Sequence, residues 1–143
     1  MGYEFLDDIA TADIAFRVWG ASREALFTEA AEAVLASTVV DVESVWPKVR
    51  RAISVDAETF DLLLHAFLQE LIYLKDAEQL LLRVCEVTFS RPGDGWRATA
   101  CGRGETIDAR RHELLADIKA VTFYRFTVGE TAFGWEATVV LDI

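Results

Sequence analysis

The 143-residue sequence is poor in several features, and each shortage excludes a class of protein. It contains two cysteines, Cys85 and Cys101, without Cys-x-x-Cys spacing, which excludes a zinc site coded in the usual way. It contains no run of about 18 apolar residues, which excludes an ordinary transmembrane helix. We therefore expect Cys85 and Cys101, each within a predicted strand, to be buried reduced thiols.

Basic residues are also few. Lys and Arg total 14 against 24 Asp and Glu, so the formal net charge is −10. This balance disfavours phosphate backbones and anionic membranes as partners, so we expect no direct nucleic acid binding and no membrane association. The start Met1-Gly2-Tyr3-Glu4 lacks the basic and apolar segments of a signal peptide, which predicts a cytoplasmic protein.

Several common motifs of catalysis and nucleotide binding are missing from the sequence. It has no Gly-x-x-x-x-Gly-Lys phosphate loop, no Gly-x-Gly-x-x-Gly and no serine nucleophile elbow. It also has no basic face rich in aromatic residues that would bind single-stranded nucleic acid. The corresponding functions therefore have no support in the sequence.

The hydrophobic periodicity predicts an α+β fold. Apolar residues make up 52% of the chain. Helical spacing predicts one helix from the N-cap Ser22 to about residue 38, and a second capped by Asp56 and reaching residue 74. A long polar loop is predicted at residues 105–118. About seven strands are predicted, at residues 3–6, 13–19, 46–55, 80–90, 96–103, 120–128 and 134–141. We expect a mainly antiparallel sheet and a single domain over residues 1–143.

Acidic residues at two distant points of the chain are the first candidates for chemistry. Asp8 and Asp13 precede the alternating strand that begins at Ile14, and the chain ends with Asp142 and Ile143. Carboxylate oxygens suit hard cations such as calcium, magnesium and manganese. Our hypothesis is that the two points meet and bind one divalent metal, with the Ile143 carboxylate as a further ligand. The alternative is that these Asp residues only cap turns.

Lys119 and the two histidines are weaker candidates. Lys119 could balance the carboxylates or bind a phosphate, or could be an ordinary solvated lysine. His65 follows Asp61 by four residues, which predicts a surface pair on the second helix. His112 lies in the predicted loop beside Arg110 and could contact a phosphate or an acidic partner. The alternative for His112 and its arginine neighbours is a solvated charge cluster.

Several short motifs lie along the whole chain. They are Tyr-Glu-Phe-Leu-Asp at residues 3–7, Thr-Ala-Asp-Ile at 11–14, Lys-Ala-Val-Thr-Phe-Tyr at 119–124 and Val-Leu-Asp-Ile at 140–143. Together they resemble the archease family, whose opening motif Leu-Asp-His-Thr-Ala-Asp enters a strand. These motifs occur in the family's order.

The resemblance implies a function that composition alone does not. Archeases are small protein cofactors of RtcB-type RNA ligases, which join RNA ends in tRNA splicing and RNA repair. They promote formation of the ligase–guanylate intermediate and multiple turnover, and they are not enzymes themselves. The resemblance also implies a metal site formed by Asp13, Asp142 and Ile143, and a role for Lys119 in ligase activation.

The sequence departs from the family pattern immediately before Thr11. The family has His at that point, whereas this chain has Asp8-Ile9-Ala10, and the loop is two residues longer. This removes the His and adds Asp8 as a further candidate ligand. Two other functions remain open: a small metal-dependent phosphohydrolase that uses Asp8, Asp13 and Asp142, and a chaperone-like module that binds proteins through an apolar groove.

Overall fold

Two antiparallel sheets flank two helices in the computed structural model, which describes residues 1–7 and 13–143. A short 3-10 helix (Val42–Ser44) precedes the third strand. The helices and strands, in chain order, are β1 (Gly2–Phe5), β2 (Ile14–Gly20), α1 (Arg23–Thr38), β3 (Val49–Ala57), α2 (Phe60–Glu78), β4 (Leu80–Ser90), β5 (Trp96–Thr106), β6 (Ala120–Val121), β7 (Thr127–Thr131) and β8 (Gly134–Asp142).

The strands form one five-stranded and one three-stranded sheet. In the larger sheet the order is β1-β2-β8-β6, and β7 also pairs with β8. In the smaller sheet the order is β3-β5-β4, and the recorded pairings of both sheets are antiparallel. The predicted α+β class is therefore confirmed. Within the described residues, no helix is both long enough and apolar enough to cross a membrane.

Helix α1 lies between the sheets, where it contacts β2 of one and β4 of the other. Its predicted start is confirmed, since the Ser22 side chain accepts a hydrogen bond from Ala25 N at 3.1 Å. Phe27 of α1 is fully buried, and its ring contacts those of Phe60, Phe67 and Phe89. This aromatic cluster joins both helices to the smaller sheet.

The predicted start of α2 at Asp56 is wrong. Asp56 belongs to β3, where it accepts hydrogen bonds of 2.7 and 3.0 Å from Arg97 on β5. Strand pairing continues to Ala57, so the helix begins only at Phe60, with Thr59 as its N-cap. The β3 strand also begins later than predicted, at Val49.

The predicted strand at 120–128 is also wrong, because it is two short strands separated by a turn. β6 ends at Val121, and Phe126 N donates to Phe123 O at 3.2 Å to close the turn. Arg125 has a φ of 51°, in the left-handed region, which breaks the extended conformation. Both strands nevertheless pair with β8, so the sequence pattern detected the sheet but not the interruption.

Candidate functional site

The register of β2 and β8 determines where the predicted acidic ligands lie. The two strands pair from Gly20 with Trp135 to Ile14 with Leu141. Asp13 directly precedes Ile14 and Asp142 directly follows Leu141, so both carboxylates belong to the same end of the larger sheet. Asp13 and Asp142 are thus the residues that come next on each strand beyond the last pair, Ile14 with Leu141.

Lys119 joins the same end of the sheet through the next strand. Its backbone N donates to Asp142 O at 2.8 Å, and the following residue, Ala120, pairs with Asp142. The side chains of Asp13, Asp142 and Lys119 are exposed, and Ile143 is 39% exposed. The structure therefore brings Asp13, Asp142 and Lys119 to the same end of the larger sheet, each at or next to the end of a neighbouring strand. We refer to this end as the edge of the sheet.

An open cleft of about 660 Å³ lies beside this edge. Asp7, Asp13 and Ile143 line it, whereas Asp142 is not among its lining residues. We call these four residues the acidic corner. The fourth predicted ligand, Asp8, lies outside the described residues. The rest of the wall is mainly apolar and is formed by Phe5, Leu6, Ile14, Ala15, Ala36, Ser37, Leu115 and Ala116.

The charges of the acidic corner are not compensated within the described chain. Among residues 1–7 and 13–143, no ion pair involves Asp7, Asp13, Asp142 or Lys119. Like charges on opposite strand positions repel each other. The donors are oxygens of side-chain carboxylates and of the Ile143 main chain, which is the chemistry that hard divalent cations prefer. The donor chemistry therefore suits such an ion, but among the described residues Asp7, Asp13 and Asp142 do not form a group of three side chains whose ligand oxygens lie within 4.8 Å of one another.

A second charged cluster contrasts with the acidic corner. The Glu105 side chain is 3% exposed and accepts hydrogen bonds from Trp46 N at 2.7 Å and from Arg111. Burial alone would raise the pKa of Glu105, but the hydrogen bond from Trp46, the contact with His112 and the charge of Arg111 outweigh it and lower the pKa. This carboxylate ties the 105–118 segment to the start of β3.

The prediction of a solvated His112 is wrong. His112 is 3% exposed, and its Nδ1 accepts a hydrogen bond from Asp108 N at 2.8 Å. Because Nδ1 is an acceptor, the proton lies on Nε2, which is 3.2 Å from Ser44 O and 3.3 Å from Glu105 Oε2. His112 therefore stabilises the fold of its loop, and its neighbour Arg111 stacks on Trp46 at 3.7 Å.

The predicted surface pair of His65 with Asp61 is also wrong. His65 Nε2 lies 2.9 Å from Val121 O, and its ring stacks on Phe123 with centroids 3.9 Å apart. Burial lowers the pKa of His65, which favours the neutral ring in this contact. The histidine thus connects α2 to the turn after β6.

The cysteines differ from their prediction in burial. Both are free thiols within strands, as expected, but both are half-buried rather than buried. Cys85 of β4 lies directly opposite Cys101 of β5. Within the described residues, the donor atoms of Cys85, Glu86 and Cys101 lie within 4.8 Å of one another. The sequence pattern did not predict that these three side chains meet.

Comparison with known proteins identifies the family. The model of the Archease protein family matches residues 3–143. The chain belongs to the archease family. The protein archease of Methanopyrus kandleri is 35% identical over 135 residues, covering 93% of this chain and 94% of the relative. That of Archaeoglobus fulgidus is 34% identical over 143 residues, covering all of both chains.

Solved structures agree with this assignment. The solution structure of Methanobacterium thermoautotrophicum protein 1598 superposes with a TM-score of 0.86 at 31% identity, covering 99% of each chain. A crystal structure from Thermotoga maritima, described as an archease and possible chaperone, shares the fold with a TM-score of 0.60 at 21% identity, covering 94% of this chain and 93% of that one. The family resemblance inferred from the sequence is therefore confirmed.

Proposed function

We propose that this archease activates an RtcB-type RNA ligase as a non-catalytic protein partner, and that the acidic corner with Lys119 is the surface it uses. The family assignment supports the choice of a protein partner. The observation that carries the choice of surface is the register of β2 and β8, which leaves Asp13 and Asp142 at the same end of the sheet. The backbone N of Lys119 donates to Asp142 O at that end. The activity would belong to tRNA splicing and RNA repair, and the protein would act in the cytoplasm.

The acidic corner suits a basic region next to a ligase active site. Its carboxylates are exposed and have no ion-pair partner in the described chain, so docking on Lys or Arg would not require existing pairs to break. Lys119 adds one ammonium group at the same edge, which suits a phosphate or an acidic side chain of the partner. The net charge of −10 makes the ligase, rather than the RNA, the preferred contact.

The same carboxylates are the proposed metal ligands. Asp13, Asp142 and the main-chain carboxyl of Ile143, with Asp8 as a further candidate, would hold calcium, magnesium or manganese. When bound, such a cation neutralises phosphate charge. The carboxylates would orient the ion, and its positive charge would offset the repulsion between them. Lys119 would stay outside the ligand set because its ammonium repels a cation.

The test is the joining of an RNA that carries a 3′-phosphate by an RtcB-type ligase under multiple turnover. We expect the wild-type protein to raise turnover, and Asp13→Ala and Asp142→Ala to lose most of that increase while retaining a wild-type circular dichroism spectrum. Asp94→Ala is the matched control. Asp94 is an exposed residue of the turn before Trp96, far from the acidic corner. The Trp96 ring contacts Phe60, and Phe60 contacts Trp135 at the start of β8, whereas Asp142 lies at the end of that strand.

Two outcomes would contradict the proposal. Full activation by correctly folded Asp13→Ala and Asp142→Ala would remove the acidic corner from the function. Absence of any increase with a competent ligase would remove the ligase itself. Metal-dependent hydrolysis of a phosphoester by the purified protein alone would then favour the phosphohydrolase alternative, and partner binding indifferent to chelator and to Asp142→Ala would favour a chaperone-like module.

A further inference from the structure

The β4–β5 hairpin brings the two cysteines of the chain together. On the turn side of the hairpin, Thr88 pairs with Thr99, whereas further from the turn Cys85 pairs with Cys101. Between these two pairs, β4 contains two residues and β5 contains one, which is the pattern of a β-bulge. Without this extra residue, the register would set Cys85 opposite Gly102 instead of Cys101.

The bulge requires an unusual backbone conformation. Glu86 has a φ of 57°, in the left-handed region that non-glycine residues rarely adopt. Such a conformation has a free-energy cost and persists where the surrounding structure requires it. Its consequence here is that both sulfur atoms and the Glu86 carboxylate lie within 4.8 Å of one another. The strained position thus creates the contact between the two thiols.

The two sulfur atoms have different surroundings. Arg50 Nη2 donates to Cys101 Sγ at 3.5 Å, and this hydrogen bond is the main reason why the pKa of the Cys101 thiol is lowered, with Arg103 as a second donor. Cys85 Sγ instead donates to Cys101 O at 3.5 Å. Burial, reinforced by the Glu86 charge, raises the pKa of the Cys85 thiol. Cys101 is therefore the more readily deprotonated of the two thiols.

Solvent reaches this pair from one side of the smaller sheet. Cys85 lies on the wall of an open surface cleft together with Arg83, Arg103, Trp46 and Pro47. Both cysteines are half-buried, so a small oxidant can approach without unfolding of the hairpin. The backbones of directly opposite residues in antiparallel strands are about 4.5–5.5 Å apart at Cα, which falls within the range that a disulfide spans.

We propose that Cys101 and Cys85 form a reversible cross-strand disulfide, in which Cys101 reacts first with a hydroperoxide and Cys85 resolves the product. The Cys101 thiolate attacks the O–O bond, an S–O bond forms, and the other oxygen leaves as water or an alcohol after taking up a proton. The Cys85 sulfur then attacks the sulfenic acid, the S–O bond breaks, and the Cys85 proton leaves with hydroxide as water. An S–S bond forms, the two thiols together lose two electrons to the hydroperoxide, and a cellular dithiol can reverse the reaction.

A metal site is a weaker explanation of the same three side chains. A divalent ion bound by both sulfurs and Glu86 would lie close to the guanidinium groups of Arg50 and Arg103, and Arg103 is 3.7 Å from the Glu86 carboxylate. Both cations oppose an added positive charge but stabilise a thiolate. The surroundings of Cys101 therefore favour thiol chemistry over metal binding.

The experiment uses the fully reduced protein, hydrogen peroxide and intact-mass spectrometry. We expect the wild-type protein to lose the mass of two hydrogen atoms, to yield a Cys85–Cys101 linked peptide, and to regain its mass with dithiothreitol. Cys85→Ser should accumulate a sulfenic acid at Cys101 that dimedone traps. Cys101→Ser should react about tenfold more slowly, and Arg50→Gln should slow the first step of the wild-type reaction.

The results that would overturn the proposal are equally specific. Thiols that stay reduced in folded wild-type protein, or dimedone labelling of Cys101→Ser as fast as that of Cys85→Ser, would contradict it. Stoichiometric zinc binding that protects both thiols from peroxide, and that is lost in Glu86→Gln, would assign the group to a metal instead. Circular dichroism of each Cys→Ser variant excludes misfolding as the cause, and Arg50→Gln leaves both cysteines in place.

Discussion

The structure contains two charged clusters that differ in the burial and pairing of their carboxylates. One is centred on Glu105, and the other is the acidic corner. Glu105 is buried and surrounded by donors from Trp46, Arg111 and His112. The carboxylates of the acidic corner are exposed, and in the described residues no cation of the chain pairs with Asp13 or Asp142. One cluster uses its charge to hold the fold, and the other leaves its charge available.

This contrast separates stability from function. A buried carboxylate without its donors would incur a large desolvation cost, so its partners are fixed by folding. An exposed carboxylate contributes little to stability, and close like charges oppose folding slightly. Substitutions in the Glu105 cluster should therefore lower the free energy of unfolding, whereas substitutions in the acidic corner should mainly change what the protein binds.

The largest expected effect comes from Glu105→Ala. The change removes the acceptor that Trp46 N–H and the Arg111 guanidinium share, and we expect a loss of about 3 kcal/mol in the free energy of unfolding. Urea denaturation followed by circular dichroism measures it. Glu105→Gln, which keeps an acceptor oxygen, should lose less. A loss below about 1 kcal/mol for the alanine variant would show that the two clusters do not differ as described.

The next effect is stabilisation by a divalent cation. Because only the folded acidic corner gathers these carboxylates, calcium at about one hundred times its dissociation constant should stabilise the wild-type protein by about 2.7 kcal/mol. Asp13→Asn should abolish the increase in melting temperature, and a chelator should reverse it. The control variant Asp94→Asn should behave as wild type. Equal stabilisation of the Asp13 and Asp94 variants would move the metal away from this corner.

Acid should weaken the Glu105 cluster selectively. The pKa of Glu105 is lower in the folded protein than its ordinary value, so its contribution is complete above the unfolded value of about 4.3 and is lost as the pH falls through the folded value. The stability difference between wild type and Glu105→Gln should shrink over that range. Chemical denaturation at a series of pH values between 3 and 6 tests this, and a difference independent of pH would contradict it.

The smallest expected effect is that of Asp13→Asn without metal. The exposed Asp13 has no cation partner among the described residues, so removing its charge relieves repulsion and breaks no ion pair there. We expect a melting temperature within about 2 °C of wild type in the presence of a chelator. Differential scanning calorimetry measures it. A decrease of more than 5 °C would indicate that Asp13 holds the fold.

Much of the fold could be predicted because its patterns are local. The alternation after Asp13, the Ser22 cap and the apolar spacing of α2 each lie within one segment. They correctly gave both helices, apart from the start of α2, and the class of fold. The errors occurred where distant contacts decide. Aromatic and β-branched residues, which favour strands, continue through the turn after β6, and the left-handed Arg125 has no sequence signature.

The candidate sites were predictable to different degrees. Asp13 and Asp142 stood out because each adjoins a strand, but only the pairing of β2 with β8 brings them to the same end. The burial of His112 depends on Glu105 and Ser44, and Ser44 is 68 residues away in sequence. The contact of Cys85 with Cys101 depends on the bulge at Glu86, where glycine, the usual signal, is missing.

The most direct test of the central claim is formation of the ligase–guanylate intermediate, measured with radiolabelled GTP and an RtcB-type ligase in the absence of RNA. Four proteins would be compared at equal concentration: wild type, Asp142→Asn, Lys119→Ala and the control Asp94→Asn. Their melting temperatures would first be measured to confirm that all four are folded. We predict that wild type and Asp94→Asn raise the guanylylated fraction equally and that Asp142→Asn and Lys119→Ala do not. Equal activation by all four proteins would contradict the account, because the available charge of the acidic corner would then have no part in the function.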